Sequence, residues 1–208
     1  RVNHMNKLLI ATMFVCLLAD CKSKSKDNNW IIVPGEKVGE INQNSTKKDL
    51  IDIFGEKNII ESNIDLSEGE SNVGTKIYHN TPDELEVLWK DNKFQKIDRI
   101  IIRRKGTLWK TIDGITIGTS MSDVVKINGE EITILGFEWD YAGTLVSWNN
   151  GKLEKTYTIG EKYAMSFESM PEKVKNYESV LGDKEFRSDN KIIKSMNLKV
   201  ASIAVIFE

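Results

Sequence analysis

A chain of 208 residues with 29 basic and 31 acidic side chains carries a formal charge of −2. That is too balanced for a nucleic-acid binder, which shows a concentrated basic face. Its two cysteines, Cys16 and Cys21, both lie near the N terminus, and after residue 4 the only histidine is His79, so a disulfide framework and the commonest zinc and triad arrangements are excluded.

The chain order begins with a leader. Met5-Asn6-Lys7 is a short basic start, and Leu8 to Leu18 is a nearly unbroken apolar run. This run falls short of the ~20 apolar residues of a comfortable membrane span, and a polar, lysine-rich stretch follows it. Leu18-Ala19-Asp20-Cys21 resembles the lipobox of bacterial lipoproteins, with Asp20 where that pattern usually carries a small residue. The resemblance implies a signal peptide over 1–20, with residues 1–4 upstream of the initiator Met5, cleavage before Cys21, and acylation of its thiol. It also implies a protein held by lipid at the outer membrane of a bacterial envelope, on the periplasmic or the surface side. An uncleaved anchor and an ordinary signal peptide cleaved elsewhere are the competing readings. Residues 21–29, including Lys22-Ser23-Lys24-Ser25-Lys26, form a polar tether, and 30–208 form one domain of ordinary size.

Within that domain an ungapped internal similarity sets Gly39 to Gly55 on Asp113 to Gly129. Thr46 and Ser120 are expected N-caps, with Asp49 and Asp123 three residues on. Leu50 and Ile53, like Val124 and Ile127, share an inward face, and Gly55 and Gly129 stop each helix at positive φ. The repeats extend over about 39–105 and 113–169. Strands are expected at 76–80, 85–90 and 99–103 in the first half, and at 132–141 and 143–148 in the second, with Asn149-Asn150-Gly151 as a hairpin signal. A third helix is expected over 171–181, opened by Pro171 and closed by Gly182, and a well-covered strand over 198–207. The fold class is α+β: short capped helices packed on an antiparallel β-meander sheet, two tandem repeats, then a C-terminal helix and strand.

Duplicated units of this kind, carried by Ile41, Thr46, Asp49, Leu50, Gly55 and their partners, resemble the tandem architecture of the β-lactamase inhibitor protein. They also resemble the small outer-membrane lipoprotein of the β-barrel assembly machinery, which has one such unit. Gly136 to Gly143 with Trp148 looks like a segment of lipoproteins from Bacteroidetes-type bacteria. The resemblance implies a fold and carries no binding or catalytic residue with it.

Candidate chemistry is sparse. Phe137, Trp139 and Tyr141 alternate, as residues on one strand face do, and Trp148 is placed to join them. They form either a helix-covered core or a platform for a peptide, a glycan or a partner loop. Trp139 is expected in the core. Glu138 and Asp140 alternate with them as a carboxylate pair, the pattern of any solvent face. Asp65, Glu68 and Glu70 make an acidic loop without the spacing of a calcium loop. Arg99, Arg103, Arg104 and Lys105 make a basic stretch, by default a surface stripe and otherwise a contact for lipid head groups or an acidic partner. No cofactor motif is present, and no metal site is expected. The sequence therefore reads as a non-enzymatic, lipid-anchored module that binds or assembles another protein, membrane-bound through its N-terminal lipid. The alternative is an enzyme acting on an envelope polymer through Glu138, Asp140 and His79.

Overall fold

The computed structural model describes residues 29–168 and 174–208. The expected leader, Cys21 and most of the expected tether lie outside the described residues, as do the first three positions of the expected third helix.

The described residues build three sheets and three short α-helices, in keeping with the α+β expectation. A first small sheet has the order β3-β2-β1-β8, from β1 (Ile31–Val33), β2 (Lys37–Val38), β3 (Ile41–Asn42) and β8 (Lys110–Thr111), with β1 and β8 parallel and the rest antiparallel. A six-stranded antiparallel sheet has the order β11-β13-β7-β6-β5-β4. Its strands are β4 (Ile59–Asp65), β5 (Ser71–Ile77), β6 (Leu85–Trp89), β7 (Ile97–Ile102), β11 (Tyr163–Glu168) and β13 (Lys199–Ile206). The third sheet, β10-β9-β12, uses β9 (Thr133–Leu135), β10 (Leu145–Ser147) and β12 (Glu185–Arg187).

Strand period and burial agree in the large sheet. The cross-strand row Thr75, Val87, Ile100, Val205, Tyr163 faces the main core, and all five are buried. The next row, Lys76, Glu86, Ile101, Ala204, faces the other side. There Ile64, Leu88 and Ile101 make a second, smaller apolar cluster with Leu66 and Ala204. That cluster exists because the β4–β5 hairpin curls over its own sheet: β5 pairs β4 along its whole length but pairs β6 only at 75–77. Gly74 permits the bend, since a Cβ there would lie 2.2 Å from Ile64 Cδ1 and 2.6 Å from the Val87 carbonyl oxygen.

The two capped helices form as the cap chemistry requires. In α1 (Lys47–Phe54) the Thr46 side chain accepts from the Asp49 N–H, and Asp49 accepts from the Thr46 N–H at 2.8 Å, a complete capping box. In α2 (Met121–Asn128) Ser120 Oγ accepts from the Asp123 N–H at 3.1 Å. Gly55 and Gly129 sit at φ 85° and 81°. Leu50 and Val124 are fully buried at matching positions, and so are Ile41 and Ile115.

Several expectations need correction. The strand expected over 132–141 ends at Leu135: Glu138 has φ 59° and turns the chain, so Phe137, Trp139 and Tyr141 do not share a strand face. The turn Asn149-Asn150 forms, with both residues at positive φ and Gly151 N–H donating to the Trp148 carbonyl at 3.0 Å, yet no strand follows it. In the described part of 171–181 only a 3₁₀ turn over Tyr177–Val180 occurs. A short helix not expected from the sequence, α3 (Lys191–Ser195), follows, capped by Asn190 Oδ1 on the Ile192 and Ile193 N–H groups. Strand β4 was unexpected as well.

Candidate functional site

The aromatic segment folds as a closed loop. The Gly143 N–H donates to the Gly136 carbonyl at 3.1 Å, and Ala142 N–H donates to the Trp139 carbonyl at 3.1 Å. Phe137 anchors it in the core, exchanging backbone bonds of 3.0 and 2.9 Å with Val180 and Gly182. Trp148 is also core: buried, its indole N–H donates to the Tyr157 carbonyl at 2.8 Å. Trp139 is half-buried, with its indole N–H on the Gly136 carbonyl at 3.2 Å. Tyr141 is 40% exposed, and its ring meets that of Trp139 edge-on at 5.3 Å. The four aromatic residues thus divide into two core anchors and two that reach the surface.

Tyr141 meets the acidic loop. Its hydroxyl donates to Glu68 Oε1 at 3.1 Å, and that hydrogen bond to a carboxylate raises the phenol pKa. Glu68 stands at the tip of the curled β4–β5 hairpin, so two segments 73 residues apart in sequence close over one hollow of about 340 Å³. Leu88 and Ile101 lie in it, with Glu70, Arg99 and Arg103 around them. The basic stretch is spent on intramolecular pairs: Arg99 with Asp98, Arg103 with Glu86 and the Asp65 carbonyl, Arg104 with Glu84, and Lys105 with Glu168. Among the described residues no group of three or more His, Cys, Asp or Glu side chains is placed to hold a metal ion.

A charged cluster not foreseen from the sequence surrounds Glu84, whose side chain is 3% exposed. Oε1 accepts from Arg104 Nε and Nη2 at 3.2 and 3.1 Å. Oε2 accepts from the Asn80 N–H at 2.8 Å and meets His79 Nδ1 at 2.9 Å, and Lys76 Nζ stands 3.7 Å from Oε1. Burial pushes the Glu84 pKa up, but the Asn80 N–H, Arg104, His79 and Lys76 outweigh it and hold the carboxyl below its ordinary value. His79 therefore has a carboxylate partner, and that carboxylate is fully engaged. Glu138 and Asp140 lie exposed on the aromatic loop.

A second hollow, about 690 Å³, separates α2 from α3, with Met121, Val125, Ile193 and Leu198 on its walls and Lys194 and Lys199 at its rim. Its residues come from two stretches, 120–131 and 188–199, and no sequence signal joins them. Comparison of the chain with known protein families, with curated proteins and with solved structures finds no match.

Proposed function

We propose that this protein is a lipid-tethered module of a bacterial envelope that binds or assembles another protein, with Trp139 and Tyr141 at the centre of the surface that meets the partner. The observation that carries the reading is the exposed Tyr141, held against Trp139 and hydrogen-bonded to Glu68 beside an open hollow. Tyrosine and tryptophan are the side chains that most often supply binding energy at protein interfaces, and a loop fixed by core anchors presents them with little ordering cost. The lipobox-like Leu18 to Cys21 supports the tether. The matched lengths and N-caps of α1 and α2 support a duplicated origin of the two capped units, the pattern that resembles the tandem architecture of the β-lactamase inhibitor protein, and the small lipoprotein of the β-barrel assembly machinery resembles one such unit.

Affinity capture from the native membrane tests this, comparing wild type with Tyr141→Ala and Trp139→Ala. A partner recovered with wild type and lost with both variants, at preserved fold, supports the reading. Undiminished capture by both variants removes the surface. Metabolic labelling with a clickable fatty acid tests the tether: Cys21→Ala abolishes labelling and releases the protein.

A further inference from the structure

We propose that the outer face of the first small sheet lies against an anionic phospholipid surface and orients the domain on the membrane. This inference rests on the lipid-tether reading. The inner face of that sheet is core: Ile32, Val38, Ile41, Trp109 and Thr111 are buried. By alternation the outer face carries Ile31 and Val33 on β1, Lys37 on β2, Asn42 on β3 and Lys110 on β8, joined across the strands as Ile31 with Lys110, Val33 with Lys37, and Lys37 with Asn42. Leu108 and Ile112 flank β8 and are 55% and 57% exposed.

Two observations select a bilayer as the occupant. The first is chemistry. Apolar side chains and lysines share the face, and none of its strand positions is acidic. The carboxylates around it are Glu36 and Glu40, in the turns after β1 and β2, Asp83, which accepts from the Leu108 N–H at 2.7 Å, and Asp113, which accepts the Tyr157 hydroxyl proton at 2.6 Å. Lys37 and Lys110 have no ion pair among the described residues. Apolar groups entering the head-group boundary beside cations that meet anionic lipid are the two contributions that hold interfacial surfaces to membranes.

The second is where the chain leads. The Trp30 carbonyl accepts from the Lys110 N–H at 3.0 Å, so the segment toward Cys21 leaves from the same sheet, beside β8. Eight residue steps separate Cys21 from Asn29, a reach of at most about 29 Å fully extended. An acylated Cys21 therefore keeps this sheet close to the bilayer, where weak contacts act at high effective concentration.

The test compares two positions of equal exposure. Val73, on β5, is 57% exposed, as Ile112 is. Ile112→Cys and Val73→Cys are each labelled with an environment-sensitive fluorophore in the acylated full chain. Both are reconstituted in vesicles of phosphatidylcholine and phosphatidylglycerol containing a head-group spin-labelled lipid. The expected result is quenching several-fold stronger at 112 than at 73, reduced by Lys37→Glu with Lys110→Glu and weaker in pure phosphatidylcholine. Equal quenching at the two positions, in protein that stays on the vesicles, overturns the proposal and leaves the tether intact. Shielding of the label at 112 without vesicles, growing with protein concentration, assigns the face to a second copy and overturns it too. Protein that carries no acyl group and remains in solution removes the tether reading and the proposal with it.

Discussion

The Asn128 side chain fills the space that a Cβ on Gly151 would need: such an atom would lie 2.1 Å from both Oδ1 and Nδ2. Asn128 is fully buried and satisfied, its amide donating to the Glu130 and Trp148 carbonyls at 2.9 and 2.8 Å and its oxygen accepting from the Leu153 N–H at 3.2 Å. It thereby ties the end of α2 to the turn after β10. Gly151→Ala is expected to displace this side chain and leave buried polar groups unpaired, at a cost of about 2 kcal/mol or more. Thermal denaturation measures it, and an unchanged midpoint would show that Asn128 can move freely.

The helix-stop glycines form a milder pair. Nothing lies within 4 Å of a Cβ built on Gly55, and only Lys152 Cδ, at 3.8 Å, meets one on Gly129. The cost of alanine is therefore conformational, and Gly55→Ala and Gly129→Ala are each expected to destabilise by about 1 kcal/mol. Denaturant titration of both variants checks it; neutrality at both positions contradicts the positive-φ assignment.

Glu84 sets an acid limit. Its pKa is depressed in the folded state, so its contribution to stability is present above the unfolded carboxylate value and is lost as pH falls through the folded value. Stability of the wild type should decline below pH ~4.5 more steeply than that of Glu84→Gln. At pH 7 the same variant should be less stable by about 3 kcal/mol, because Arg104 and Lys76 lose their buried partner. Parallel slopes of stability against pH in the two proteins would mean that Glu84 is not the titrating group.

Trp148 and Trp139 should separate cleanly. Trp148→Ala empties a fully buried site and is expected to cost about 3–5 kcal/mol. Trp139→Ala exposes a half-buried ring's neighbours and is expected to cost about 1–2 kcal/mol. On the proposed binding role, partner capture should fall more with Trp139→Ala than its loss of stability predicts. Equal destabilisation by the two variants would place Trp139 in the core.

Local chemistry was legible in the sequence, and long-range closure was not. Thr46 with Asp49, Ser120 with Asp123 and the two stop glycines act within one or two helical turns, so spacing alone revealed them. Asn149-Asn150 likewise specified its turn, but Gly151 answers to a side chain from another element, which no local pattern shows. Alternation suggested a strand through Tyr141 because polarity alternates there; the positive φ of Glu138 breaks it, a conformation that a glutamate gives no sign of adopting. Strand β4 mixes polar and apolar residues because one half lies on the sheet edge and the other curls over Leu88 and Ile101, so neither period holds along it. The Glu84 cluster draws on residues 76 to 104, and Tyr141 finds Glu68 only after the hairpin has bent at Gly74.

The placement of β13 bears on how the chain reaches its native state. It pairs β11 on one side and β7 on the other, joining Val205 to Ile100 and to Tyr163 in the middle of the large sheet. Until this segment is available, β7 has an open edge and β11 has no neighbour on that side. A chain crossing a membrane in order from its first residue would therefore remain unable to complete its sheet until almost all of it had passed. Separations of about a hundred residues between paired strands also slow closure, because the loop entropy is spent before the contacts form. On the proposed export route that delay would keep the half-exported polypeptide unfolded enough to thread, with the domain assembling only on the far side.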